Sequence, residues 1–137
     1  MTLTEPLRVL VAEKIAASGI ELLRERFDVD IGTDWSREEL LERIGDYHAI
    51  LIRSATKCDA ELLERAHNLR VVGRAGVGVD NVDVATASKK GIIVANAPEA
   101  NTVAAAEHTL ALMLALARNI PQAHASLISG KWERSKF

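Results

Sequence analysis

The sequence predicts an α/β domain: a five-stranded parallel sheet flanked by helices. Three observations carry the prediction. Short β-rich runs alternate with runs of helical spacing, in the order βαβαβαβαβ. The strand-like runs are apolar along their length rather than alternating, which is the pattern of parallel strands covered on both faces by crossover helices. Residues that start and stop helices stand at the junctions, with Ser36, Asp59 and Asp83 ahead of helical runs and Gly91 behind one.

In chain order, LRVLVA (7–12) is the first strand, and a helix follows through IAASGIELLRERF with Ile15, Leu22, Leu23 and Phe27 at helical spacing. DVDIG (28–32) is a second, short strand interrupted by two aspartates. Ser36, with Glu39 three residues on, is a reciprocal capping box opening the helix SREELLERI. HAILIR (48–53) is the third strand, Asp59 caps the helix AELLERA, and LRVVGRA (69–75) is the fourth strand. Asp83 caps VATASKK, Gly91 ends it, and GIIVANA (91–97) is the fifth strand. Pro98 marks a change of character: Asn101 to Asn119 is a long Ala/Leu-rich helix, and Pro121 starts another through QAHASLISG. The boundary is placed near residues 98–101, dividing a first segment, 1–100, from the helices of 101–137.

Composition narrows the function. The 137 residues carry 17 Lys+Arg against 19 Asp+Glu, a net charge of -2. No basic block exceeds two residues, which gives no support to a nucleic-acid or membrane-surface partner. The single cysteine, Cys58, cannot close an intramolecular disulfide and is expected to be a half-buried core thiol rather than a nucleophile. A reducing, cytoplasmic setting is expected. The N-terminus, MTLTEPLRVLVAEK, lacks the basic and apolar regions of a signal peptide, and the longest apolar run, Leu110 to Ala117, is far short of the ~20 residues that span a bilayer. His48, His67, His108 and His124 lack the spacing of a metal site, so no metal is expected. His108 beside Glu107 has the composition of an acid/base pair, but neighbours on a helix point about 100° apart, which favours a helix-surface or interface role.

A parallel sheet of this kind presents its functional loops at the carboxyl ends of its strands. Those ends hold Ala12-Glu13, Arg53-Ser54-Ala55-Thr56-Lys57, Arg74-Ala75-Gly76-Val77-Gly78-Val79-Asp80-Asn81 and Asn96-Ala97-Pro98-Glu99-Ala100-Asn101. A phosphoacceptor receiver domain has the same plan but needs an aspartate after the third strand, where Arg53 stands. Arginine forks and amides freed by glycine suit a small acidic ligand. Each arginine also has a plainer reading: Arg53 as a solvated strand-end charge, Arg74 as an ion pair to Asp80 or Asp83.

The stretch GVGVDN (76–81) opens like a dinucleotide-binding loop. A Rossmann fingerprint needs a third glycine, where Asn81 stands, and an acid about twenty residues on at the end of the next strand. Neither is present, and the loop is better read as an anion cradle built on backbone amides.

Over residues 51–137 the motifs RSATK, GRAGVGVDNVD, the ANAP-to-Asn101 turn, AAEHTLALMLALAR and KWERSKF occur in one order. In that order and spacing the chain resembles the D-isomer-specific 2-hydroxyacid dehydrogenases. The resemblance implies a flavodoxin-like substrate-binding lobe whose first segment is residues 1–100. Residues 101–137 would be the interdomain and dimerisation helices that open an NAD-binding Rossmann domain lying beyond Phe137. The hydride-transfer arginine, histidine and glutamate of the family would also lie beyond it, so the chain alone is expected to be inactive. By the same resemblance, Arg53 and Ser54 contact substrate or its phosphate, and the Gly76 and Val77 amides hold the 2-oxo-acid carboxylate. Arg74 supports that loop or the phosphate, Val77 touches the nicotinamide side of NAD, and Asn101 sits at a hinge near substrate. RSATK and KWERSKF favour the branch that oxidises 3-phospho-D-glycerate in serine biosynthesis. Within the family, a glyoxylate or hydroxypyruvate reductase and a nucleotide-sensing transcriptional corepressor are the alternatives.

Overall fold

The computed structural model describes residues 6–137; the reading of residues 1–5 as part of an untargeted N-terminus lies outside the described residues. Strands β1 (Arg8–Val11), β2 (Asp28–Ile31), β3 (Ala49–Ile52), β4 (Val71–Arg74) and β5 (Ile93–Asn96) form one parallel sheet in the order β2-β1-β3-β4-β5. Parallel neighbours require crossovers, supplied by α1 (Ala17–Arg24), α2 (Arg37–Arg43), α3 (Ala60–Arg65) and α4 (Val84–Lys89). The order is flavodoxin-like, and strand order reverses between β1 and β3, so a crevice is expected above their carboxyl ends.

The caps form as the sequence predicts. Ser36 Oγ accepts from the Glu39 amide (3.2 Å), Asp59 from the Leu62 amide (3.1 Å) and Asp83 from the Thr86 amide (3.0 Å). The box at Ser36 is one-sided, however, because the Glu39 carboxylate pairs with Arg43 one turn on (3.2 Å). Helix α4 ends in a Schellman motif: Gly91 has φ 72°, its amide donates to Ser88 O (3.1 Å), and the Ile92 amide donates to Ala87 O (2.9 Å). Those two residues complete the helix end, so β5 starts at Ile93 rather than at 91.

Alternation along the strands puts Leu10, Ile50, Ile52 and Val72 on one face, all fully buried. Leu40 of α2, Leu62 and Leu63 of α3, Ala87 of α4 and Ile44 of the 3₁₀ turn Ile44–Asp46 pack into the same cluster. Burying each of the larger side chains contributes about 1.5–3 kcal/mol, and this layer is the main core. On the other face Val9 and Val11 are buried, but Leu51 and Val71 are only half-buried and α1 contributes no buried side chain. Full cover on both faces thus holds for one face. The edge strands β2 and β5 carry no buried residue, and Ile93 is 63% exposed.

The chain divides into two compact units, one ending at Ala100 and one running from Asn101 to Phe137. The second contains α5 (Thr102–Ala117), α6 (Ile120–Ile128) and a 3₁₀ turn at Arg134–Lys136. Asn119, at φ 49°, makes the left-handed step between its helices, and Pro121 falls in the first turn of α6, where no N–H is needed. No helix among the described residues is long and apolar enough to cross a membrane.

Candidate functional site

Register places Ile52, Arg74 and Asn96 side by side at the carboxyl ends of β3, β4 and β5. The loop after each strand therefore leaves from a common edge, and hydrogen bonds hold the three together. Asn81 Nδ2 donates to the carbonyl oxygens of Arg53 (2.8 Å) and Thr56 (2.7 Å). Beside it the Cys58 amide donates to Asn81 O and the Asp83 amide to Cys58 O, both at 2.9 Å. From the other side, Asn96 Nδ2 donates to Val77 O (2.7 Å) and the Ala97 amide to Gly76 O (2.9 Å). The glycine loop is anchored at both ends through its carbonyls and carboxamide.

This arrangement decides which amides face outward. The Gly76 amide donates to Arg74 O (2.9 Å) in a tight turn, which removes it from the pair assigned to a substrate carboxylate. Among the described residues, the amides of Val77, Gly78 and Val79 donate to no protein acceptor. At both glycines the space of a Cβ is taken by the end of a flexible side chain. A Cβ at 76 would collide with the Arg74 guanidinium lying over it, and one at 78 would sit 2.7 Å from Asp80 Oδ1.

The arginines are available. Neither Arg53 nor Arg74 pairs with a carboxylate among the described residues, so the ion pair from Arg74 to Asp80 or Asp83 is not formed. Arg74 Nε is buried with no partner, and a buried donor left unsatisfied costs about 1–3 kcal/mol. Arg53 is exposed, its one side-chain hydrogen bond among the described residues being a long one of 3.5 Å to Lys14 O. Ser54 is exposed beside it. An open hollow of about 440 Å³, lined by Lys14, Ile15, Ala16, Arg53 and Ala75, lies where strand order reverses. A hollow of about 470 Å³ lies toward β2, lined by Trp35, Arg37 and Thr56 among others. Volume does not separate them; donors do, because Arg37 is already paired with Asp59 and donates to Lys57 O (2.8 Å).

Two residues of this cluster have roles that sequence reasoning does not assign. Glu13, just past β1, accepts the amides of Arg53 (2.8 Å) and Thr56 (2.8 Å) on Oε1 and that of Ala55 (3.2 Å) on Oε2. Burial pushes its pKa up, but those amide bonds outweigh it and hold the carboxyl below its ordinary value. Asn81, met in the sequence only as a missing glycine, is the staple between the loops. The available signals are an acid at a strand end facing a loop of small residues, and a carboxamide where a helix-packing glycine is absent.

Val77 is 39% exposed on the glycine loop. Asn101 begins the second unit as N-cap of α5, with no side-chain capping bond and its carbonyl accepting the Ala105 amide (2.8 Å). His108 and Glu107 are exposed on α5. Cys58 is fully buried rather than half-buried, and burial raises its thiol to about 12.

The GVGVDN loop lacks the dinucleotide fingerprint: Asn81 stands where the third glycine would, bound to two carbonyls, and the next strand ends in Asn96 rather than an acid. What the edge does offer is two guanidinium groups, three free amides and a hydroxyl, a donor set for a small acid.

Residues 9–131 match the family model described as D-isomer specific 2-hydroxyacid dehydrogenase, catalytic domain. The chain is 52% identical over 132 residues to a D-3-phosphoglycerate dehydrogenase of Archaeoglobus fulgidus, covering 96% of this chain and 25% of that protein. It thus spans about a quarter of the length of such relatives. Among solved structures, the TT0316 protein of Thermus thermophilus superposes with a TM-score of 0.81 at 35% identity, over 93% of this chain and 42% of that one. The NADPH-dependent glyoxylate/hydroxypyruvate reductase of Sinorhizobium meliloti, solved with citrate, gives 0.74 at 29% identity over 96% of this chain and 41% of that one. Fold, motifs and matches agree, and the chain belongs to the D-isomer-specific 2-hydroxyacid dehydrogenase family.

Proposed function

We propose that this chain is the first part of the substrate-binding lobe of an NAD-dependent oxidoreductase that converts 3-phospho-D-glycerate to 3-phosphooxypyruvate in serine biosynthesis, in the cytoplasm. The observation that carries the reading is the pair of uncommitted arginines, Arg53 and Arg74, at adjacent strand ends beside the free Val77 amide. A substrate with a carboxylate at one end and a phosphate at the other needs cationic donors for both. The amides of Val77 and Gly78 receive the carboxylate, while Arg53 and Ser54, with Arg74, receive the phosphate. Fixing both ends orients the C2–H between them, which converts binding into reactive geometry. NAD supplies the hydride acceptor and is held mainly by a domain outside this chain, with Val77 set toward its nicotinamide. Residues 1–137 alone bind acid and catalyse nothing.

The relative at 52% identity bears the phosphoglycerate name, and the reductase acting on glyoxylate or hydroxypyruvate stands at 29%; the phosphate-bearing substrate is preferred on that difference and on the second arginine. The test is turnover by the protein at its full length, with NAD⁺ or NADH, across 3-phosphoglycerate, glyoxylate and hydroxypyruvate. Preference for 3-phosphoglycerate, lost on Arg53→Gln, is the expected result. Equal or better turnover of glyoxylate assigns the reductase reading instead. No turnover of any of the three, with binding of a peptide, assigns a corepressor-type module.

A further inference from the structure

We propose that Glu13 is a positioning residue of the acid cradle. Its carboxylate is the resident anion of the Arg53–Thr56 amides and, together with Asn81, fixes that loop in register with the glycine loop. The role of the cradle rests on the function proposed above; the loop coupling rests on geometry alone.

Three amides from four consecutive residues converge on one carboxylate more than forty positions away in sequence, or forty for Arg53. The same loop is held from its opposite polarity by Asn81, whose carboxamide takes the carbonyls of Arg53 and Thr56. Arg53 thus has its N–H bound to Glu13 and its C=O bound to Asn81, with both peptide groups fixed while its guanidinium stays exposed. Thr56 is held in the same two-sided way. A loop so fixed presents Arg53 and Ser54 at low ordering entropy, the condition under which donors bind tightly.

The charge of Glu13 has a second consequence. Convergent loop amides are a natural receptor for an anionic ligand, and here they are filled by the protein's own carboxylate. A substrate anion that approached them would meet like charge. It is directed instead to the guanidinium groups and to the free amides of Val77, Gly78 and Val79. Glu13 therefore selects which of two amide clusters the ligand uses.

The experiment takes Glu13→Gln, Glu13→Ala, Asn81→Ala and the double variant Glu13→Ala/Asn81→Ala in the protein at its full length. It reads steady-state constants for 3-phosphoglycerate, melting temperature, and amide hydrogen exchange at residues 53–56 and 58. Glu13→Gln keeps the two bonds to Oε1 but sets an NH₂ group against the Ala55 amide. Its KM should rise a few-fold, and that of Glu13→Ala about tenfold, with kcat within about twofold, as expected for loss of uniform substrate binding. Exchange at Ala55 should quicken in both, and at Arg53, Thr56 and Cys58, whose amide is bound to Asn81 O, in Glu13→Ala. The double variant should lose less than the product of the single losses, because both residues act on one loop. A lowered melting temperature with KM unchanged would make Glu13 a structural residue only and overturn the proposal. A lower KM in Glu13→Gln would mean that the vacated amides serve the ligand, and would also overturn it. If the wild type turns over no 2-hydroxy acid, the proposed function fails by itself. Exchange then decides the coupling, which falls if Ala55 and Thr56 are as protected in Glu13→Ala as in the wild type.

Discussion

Cys58 lies between the two loops that build the cradle, bonded through its backbone to Asn81 and Asp83. Its side chain is fully buried, and burial, with the nearby Asp59 and Glu13 charges set against Arg37, pushes the thiol to about 12. A thiol reacts as its thiolate, so the folded chain should resist iodoacetamide at mildly alkaline pH and take up one equivalent when unfolded in denaturant. Mass spectrometry distinguishes the two, and rapid alkylation of the folded chain would refute the assignment of Cys58 as a core residue. At this scale, what the sequence makes legible depends on contact range. Ser36, Asp59 and Asp83 cap the helices beside them, three residues away in sequence, and are readable from local pattern. Glu13 and Asn81 act across 25 to 43 positions, so their partners exist only once β1, β3 and β4 are aligned. The Gly76 amide failed for a related reason. Its bond to Arg74 O depends on the turn that the loop adopts, and a Gly-x-Gly string does not specify that turn.

Among the elements, the start of β1 is tied to β2 and to the turn before β3 by one polar cluster. Arg8 Nη2 meets Asp30 Oδ2 at 2.8 Å, and the Tyr47 hydroxyl donates to the same oxygen at 2.7 Å. Arg8 also lies over the Tyr47 ring, its Cζ 4.7 Å from the centroid. The two aspartates that weakened β2 as a sequence prediction thus belong to it: one side of an edge strand is polar, and Asp30 uses that side to hold its neighbour. Burial, then the bond to Asp30, raises the Tyr47 phenol to about 12. The fold binds the neutral phenol, so this stabilisation is complete below the unfolded value of about 10 and is lost as pH rises from there to about 12. The bonds from Tyr47 and Arg8 lower Asp30, so its contribution is present above about pH 4 and is lost as pH falls through its lower folded value. Tyr47 is the only tyrosine of the chain, so phenolate absorbance reads it alone. The midpoint should stand near 12 in the folded chain and near 10 in denaturant. A folded midpoint near 10 would mean that the hydroxyl is free of Asp30.

For the whole molecule, the first unit has a core of its own and the second does not. Every residue of α5 except Ala115 is exposed in this chain, including Val103, Leu110, Leu112, Met113, Leu114 and Leu116. A helix that is apolar all round is stable only when covered on more than one side. The sequence made this helix legible by composition; its cover, expected from family resemblance to include a second copy, is not readable from periodicity, because packing partners outside the chain leave no periodic signature. We propose that one side is covered by the same helix of a second copy. The helix is 16 residues long, about 24 Å at 1.5 Å per residue. A two-fold crossing of such helices, extended by α6 and the 77%-exposed Trp132, can approach the ~800 Å² per partner of a stable interface, with Trp132 as its aromatic anchor. Sedimentation of the protein at its full length should therefore give the mass of two copies. Leu112→Glu/Leu116→Glu places two charges on one side of α5, which should halve that mass and leave the sheet's melting transition in place. A variant that keeps the double mass, or one that loses its folded signal at unchanged mass, would assign this side of α5 to packing within one chain.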